Sequence, residues 1–241
     1  MTRAPVSRET EALEALGSRY RLPRAAIDRL AALLEALSSE PDPHTTISSG
    51  LAAVQAHIAD SLAGLEVENL ARAESIADIG SGAGFPGLVL AVALPNARVD
   101  LVESASRKVN VISRLARAAQ VPNAHPVAAR AEVLAAGAGR EAYAAVTARA
   151  VAALPVLVEY AAPLLQNGGV LVAWKGSRVA EEEAAGRAAA RIVGLEPVET
   201  LPVRPYEGIR SRHLYVYSKV RETPLRFPRR PGIALKRPLG A

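Results

Sequence analysis

Three glycines at alternate positions, Gly80, Gly82 and Gly84, stand between an apolar run ending in Asp78-Ile79 and a helical pattern that opens after Pro86. Such residues act through what they lack. Without Cβ atoms, a strand-to-helix turn brings backbone N–H groups against a nucleotide-like ligand. Two acids frame the turn. Asp78 precedes it, and Glu103 ends the next predicted strand, where a carboxylate accepts hydrogen bonds from a ribose diol. A dinucleotide fingerprint, G-x-G-x-x-G, would put its third glycine where this chain has Phe85, which argues against a nicotinamide-dependent oxidoreductase.

A second polar group lies upstream, in His57-Ile58-Ala59-Asp60-Ser61-Leu62. On an α-helix His57 and Ser61 share a face and Asp60 lies beside it. One helix carrying all three gives poor geometry for a nucleophilic triad, and no oxyanion hole accompanies it. A ligand-facing role beside the glycine turn is the alternative to simple solvent exposure. The chain has no cysteine, which excludes disulfides, thiolate metal sites and a Cys nucleophile. Its four histidines are scattered without metal-ligand spacing, so no metal site is expected.

These groups need elements to position them. Strands alternate with helices from residue 76 to 193, which predicts an α/β fold with a parallel sheet and right-handed crossovers, closed by a hairpin near Leu195–Val203 and His213–Ser218. Ahead of the glycine turn, apolar residues at spacings of three and four mark helices around Glu9–Leu16, from Arg24 to Ser39 and through Leu51, Val54, Ile58 and Leu62. The expected division is a helical appendage over 1–70, a ligand-binding domain over 71–220 and a tail over 221–241. Six of the 29 bases and one of the 24 acids fall in that tail, so it holds the whole net charge of +5. Punctuated by Pro224, Pro228, Pro231 and Pro238, it is expected to be an extended arm that forms no helix, buries little and suits polyanions. No apolar run approaches a membrane span and the first residues do not read as a signal peptide, which predicts a soluble, cytoplasmic protein without membrane contact.

Asp78 followed by Gly-x-Gly-x-Gly resembles the first motif of class I S-adenosylmethionine-dependent methyltransferases. The resemblance narrows along the chain. His57–Leu62, Asp78-Ile79-Gly80-Ser81-Gly82-Ala83-Gly84-Phe85-Pro86-Gly87, Val102-Glu103-Ser104 with Arg107-Lys108, Arg130-Ala131-Glu132, Ala148-Arg149-Ala150 and Trp174-Lys175-Gly176 occur in that order. Together, over about residues 40–220, they resemble the bacterial small-subunit rRNA methyltransferase G family, also called the glucose-inhibited division protein B family. Two departures stand out: His44-Thr45-Thr46 replaces the family's Asn-Leu-Thr, and the basic tail is additional.

The resemblance implies a Rossmann-like, mostly parallel seven-stranded sheet and methylation of guanine N7 in 16S rRNA, with S-adenosylmethionine as cofactor. It implies cofactor contacts at Gly80, Gly82, Phe85, Ala131, Glu132 and Arg149, with Glu103 at the ribose. His57, Asp60 and Ser61 become candidate substrate-side residues, and Arg107, Lys108 and Lys175 candidate contacts to RNA phosphates. No catalytic acid or base is assigned. The expected partner is 16S rRNA or the small ribosomal subunit, met by a monomer. Transfer to another RNA or to a small molecule, and RNA binding without catalysis, are the rival readings.

Overall fold

The computed structural model describes residues 7–240. Seven strands form one sheet in the order β3-β2-β1-β4-β5-β7-β6. They are β1 (Ser75–Ile79), β2 (Arg98–Glu103), β3 (Ala124–Ala128), β4 (Tyr143–Arg149), β5 (Leu165–Lys175), β6 (Leu195–Pro202) and β7 (His213–Lys219). β1 to β5 run parallel, and β7 lies antiparallel between β5 and β6. The central strands read as continuous apolar runs because helices cover both faces, so Ile76, Ala77, Val99, Leu101, Val146 and Leu171 are all buried. β1 pairs with β2 on one side and β4 on the other. Strand order reverses there, and ligands of open α/β sheets bind beyond the strand ends at such a point.

The N-terminal helices are α1 (Arg8–Arg19) and α2 (Arg24–Ser39), followed by α3 (Gly50–Ala53), a π-helical turn (Val54–Ala59), α4 (Asp60–Leu62), a 3₁₀ turn (Ala63–Glu66) and α5 (Glu68–Ala71). The crossover helices are α6 (Gly87–Ala93), α7 (Ser106–Ala118), α8 (Ala131–Ala135), α9 (Leu154–Ala161) and α10 (Ala180–Val193). Leu30, Leu33 and Leu37 of α2 share one core with Ile58, Leu88, Val99 and Ile112, so the first helices seal one face of the sheet. Leu157, Val193 and Tyr217 pack with Val146 and Leu171 on the other.

Two expectations need correction. The helix expected to run unbroken through Leu51–Leu62 contains the π turn, which carries His57. A guanidinium donates to the Ala56 carbonyl inside it, Arg149 Nη1 at 2.8 Å, and side chains inserted into a helical ladder widen it locally. The tail is not an extended arm. Thr223, Phe227 and Ala234 are buried and Ile233–Lys236 forms a helical turn, α11. The prolines deny the segment a regular ladder, but Arg140 supplies donors instead, at 2.9 Å to the Phe227 carbonyl and 3.2 Å to that of Thr223.

Candidate active site

At the switch point the chain leaves β1 through Gly80, Gly82 and Gly84, with φ of +66°, +59° and +99°. This left-handed backbone is what glycine permits at little cost. Approach distances add a second reason. A Cβ on Gly80 would lie 2.7 Å from the Val151 side chain, and one on Gly87, the first residue of α6, would lie 2.8 Å from Asp78 Oδ2.

Asp78 points inward. Its Oδ2 accepts from the Gly87 N–H at 3.1 Å, its Oδ1 from the Thr147 hydroxyl at 2.8 Å, and its carbonyl from the Ser81 hydroxyl at 2.7 Å. Burial pushes its carboxyl up to about 6 against the opposing pull of these donors. Asp78 therefore braces β1, β4, the turn and the start of α6 against one another.

Glu103 faces the turn. Its Oε2 accepts from the Gly82 N–H at 3.2 Å and its Oε1 from the Ala105 N–H at 2.9 Å. Beside it opens a cavity of about 150 Å³ whose lining includes Gly80, Glu103, Ser104, Ala131, Glu132 and Leu235. The fold thus brings Gly80, Glu103, Ala131 and Glu132 to one place, with Gly82 joined through its bond to Glu103. The donor set fits the nucleoside end of S-adenosylmethionine. Ile79, Val102 and Val151 offer apolar walls, and two carboxylates offer acceptors for hydroxyl or amino hydrogens. A Cβ on Gly82 would meet nothing nearer than 3.9 Å, so the main chain is open to close approach.

Phe85 belongs to a neighbouring cluster. Its ring stacks on His57, centroids 4.3 Å apart and 15° from parallel, and the Arg149 guanidinium lies 5.9 Å from its centre. His57 Nε2 is 2.6 Å from the Ile47 carbonyl, which can only accept, so the neutral imidazole carries its proton there. Burial, with Arg149 adding to it, holds this imidazole below its ordinary pKa against the opposing effects of the Ile47 carbonyl and Asp60. Its Nδ1 and the Ser61 hydroxyl are buried without a partner among the described residues. Asp60, fully buried, accepts from Arg149 Nη1 at 2.8 Å through Oδ2, while Oδ1 pairs with Arg212 Nε at 2.7 Å. Two guanidinium groups on one carboxylate leave the cluster net positive. The Asp60 carbonyl takes the Trp174 indole N–H at 2.8 Å, and Gly64 lets that ring lie so close that a Cβ would come within 2.5 Å of it.

The remaining candidates separate by their surroundings. Arg107 is exposed in the first turn of α7, and Lys108 beside it is half-buried. Lys175 instead pairs with Glu182 at 2.6 Å and donates to the Ala152 carbonyl at 3.2 Å, holding α10 to the end of β5. Thr147, Arg212 and Leu235 are site residues that the sequence reading misses. Only Arg212 leaves a signal: a hairpin closing on β5 sets His213 opposite Lys175, which brings its neighbour to the same edge. Among the described residues no group of three His, Cys, Asp or Glu is placed to hold a metal ion, and no helix is long and apolar enough to cross a membrane.

A parallel sheet with an antiparallel closing hairpin and a glycine turn at the switch point defines a class I methyltransferase fold. Cofactor-bound Rv0187 from MTB aligns over 92% of this chain and 100% of its own, with a TM-score of 0.54 and 20% identity. A predicted O-methyltransferase from Agrobacterium tumefaciens aligns over 67% of this chain and 80% of its own, with a TM-score of 0.53 and 24% identity. At such identities the likeness is one of fold. Sequence is more specific. Residues 45–214 match the family model of rRNA small subunit methyltransferase G, GidB. The ribosomal RNA small subunit methyltransferase G of Rubrobacter xylanophilus is 43% identical over 76% of this chain and 72% of its own. That of Deinococcus radiodurans is 41% identical over 88% of this chain and 83% of its own. The chain belongs to the rRNA small subunit methyltransferase G family.

Proposed function

We propose that this protein methylates N7 of a guanine in 16S rRNA, with S-adenosylmethionine as the donor. The observation that carries the reading is the convergence of Gly80, Glu103, Ala131 and Glu132 on one cavity at the switch point of a chain in this family. When bound, the cofactor supplies a methyl group on a positively charged sulfur.

The chain's part is to hold and orient. We assign Gly80, Gly82, Ala131 and Glu132 to the cofactor, with Glu103 at its ribose hydroxyls. Arg149 and Phe85, which lie outside that cavity's lining in the Asp60 cluster, are assigned to the methionine end of the cofactor. His57, Asp60 and Ser61 take the acceptor side. Guanine N7 already carries a free lone pair and loses no proton before attack, so no residue is needed as a base, and the contribution is alignment and exclusion of water. Arg107 and Lys108, at the start of α7, are assigned as phosphate contacts, and Lys175, at the end of β5, as a further one with its charge partly met by Glu182. Arg204 and Arg210, exposed on the loop between β6 and β7, line a cleft of about 830 Å³ and offer further cations for RNA phosphates.

The test is transfer of labelled methyl to rRNA and to intact small subunits from a strain deleted for the enzyme. Label on one guanine, lost when that strain is complemented beforehand, is expected. No label in either substrate would overturn the proposal.

A further inference from the structure

The segment after β7 lies beyond the family-matched residues, yet it reaches the cofactor cavity. Its path is fixed at several points. Arg229 forms a two-point ion pair with Glu159 of α9, Nε to Oε1 at 2.6 Å, and Glu159 is only 2% exposed. Phe227 and Ala234 are each 2% exposed against the core beneath the sheet. Arg140 holds the two carbonyls that precede this stretch.

Two contacts then bear on the cavity. The Gly232 N–H donates to Glu132 Oε1 at 2.8 Å, from a backbone with φ of +82°. Three residues on, Leu235 forms part of the cavity lining while 56% of its surface stays exposed. A half-exposed leucine at the rim of an open pocket, on a segment anchored by a buried ion pair, is apolar area that an entering ligand would cover. Glu132, only 6% exposed, has one oxygen committed to the segment and shares the cavity lining with the Tyr160 hydroxyl, a second donor to its carboxylate.

We propose that residues 223–239 are the outer wall of the S-adenosylmethionine pocket, with Leu235 covering the bound nucleoside and the Gly232 N–H fixing Glu132 in its accepting orientation. Leu235 is a cofactor-binding residue in this scheme and Gly232 a positioning one. The inference rests on the cofactor reading of the same cavity. It makes the tail part of the cofactor site, where its composition alone suggested only a polyanion-binding arm.

The experiment measures S-adenosylmethionine affinity by calorimetry for the full chain and for Leu235→Ala and Leu235→Met. Amide hydrogen exchange over 229–237 is followed with and without cofactor. Leu235 is exposed, so neither substitution should disturb folding, and thermal melting checks this. The expected result is an affinity about five- to tenfold weaker for Leu235→Ala. Leu235→Met should stay near the parent value, and cofactor should slow exchange at 232–236. Unchanged affinity in Leu235→Ala, or exchange in 232–236 indifferent to cofactor, would overturn the wall while leaving the methyltransferase reading intact. A parent chain that binds no S-adenosylmethionine would sink that reading itself.

Discussion

Asp78 shows how one carboxylate can be essential to a site without facing the ligand. Its raised pKa, about 6 against an ordinary 3.8, follows from complete burial. The folded state therefore holds the proton more tightly than the unfolded chain. The resulting contribution to stability is present below about pH 4 and is lost as pH rises through about 6, amounting to about 3 kcal/mol. Denaturant unfolding at a series of pH values should show this fall in the parent and lack it in Asp78→Asn. Asn can keep its amide oxygen on the Gly87 N–H and turn its amide N–H to the Thr147 hydroxyl, which can accept, so the variant retains both contacts without a titrating group. Residue identity at the glycine turn was legible in the sequence because glycine spacing and strand-end acids are local signals. The partners of Asp78 were not. Thr147 lies on a strand paired with β1 through a crossover, and no local pattern announces which hydroxyl meets which carboxylate.

Among the elements, the π turn is the one that periodicity misread. A pattern of apolar residues at spacings of three and four reports a helix but not one widened turn within it, and the cause lies on another element: Arg149, at the end of β4. The turn, β4 and the strand that begins at His213 are tied at Asp60. Replacing Asp60 by Ala would leave two guanidinium groups facing each other in a largely enclosed site. The expected cost is about 3 kcal/mol of unfolding free energy. Hydrogen exchange should also quicken over residues 203–212, the loop that Arg212 holds down. The alternation of strands and crossover helices from residue 76 to 193 and the closing hairpin were legible, because buried parallel strands and amphipathic helices carry distinct periods. The start of β5 was not, since Leu165 pairs with Tyr143 across an irregularity in register.

At the level of the whole molecule, the neutral body and the basic tail are less separate than composition implies. Arg229 is consumed by Glu159, whereas Arg226, Arg230, Lys236 and Arg237 remain exposed beside the pocket wall. If those four meet RNA phosphates, changing them all to Gln should flatten the slope of log affinity for rRNA against log salt by up to about 3. Affinity for S-adenosylmethionine should stay unchanged, in contrast to Leu235→Ala. The tail's charge was plain in the sequence; its path was not, because Phe227 and Ala234 show their packing only once α9 and α10 are in place. A different consequence comes from Trp174, the chain's single tryptophan, 2% exposed with its indole hydrogen-bonded to Asp60. It stands where the N-terminal helices, the sheet and the hairpin meet, so indole emission from this protein reads that one junction. The molecule carries its own optical probe, and a change of that emission on rapid mixing with cofactor or RNA would report movement at the junction without any attached dye.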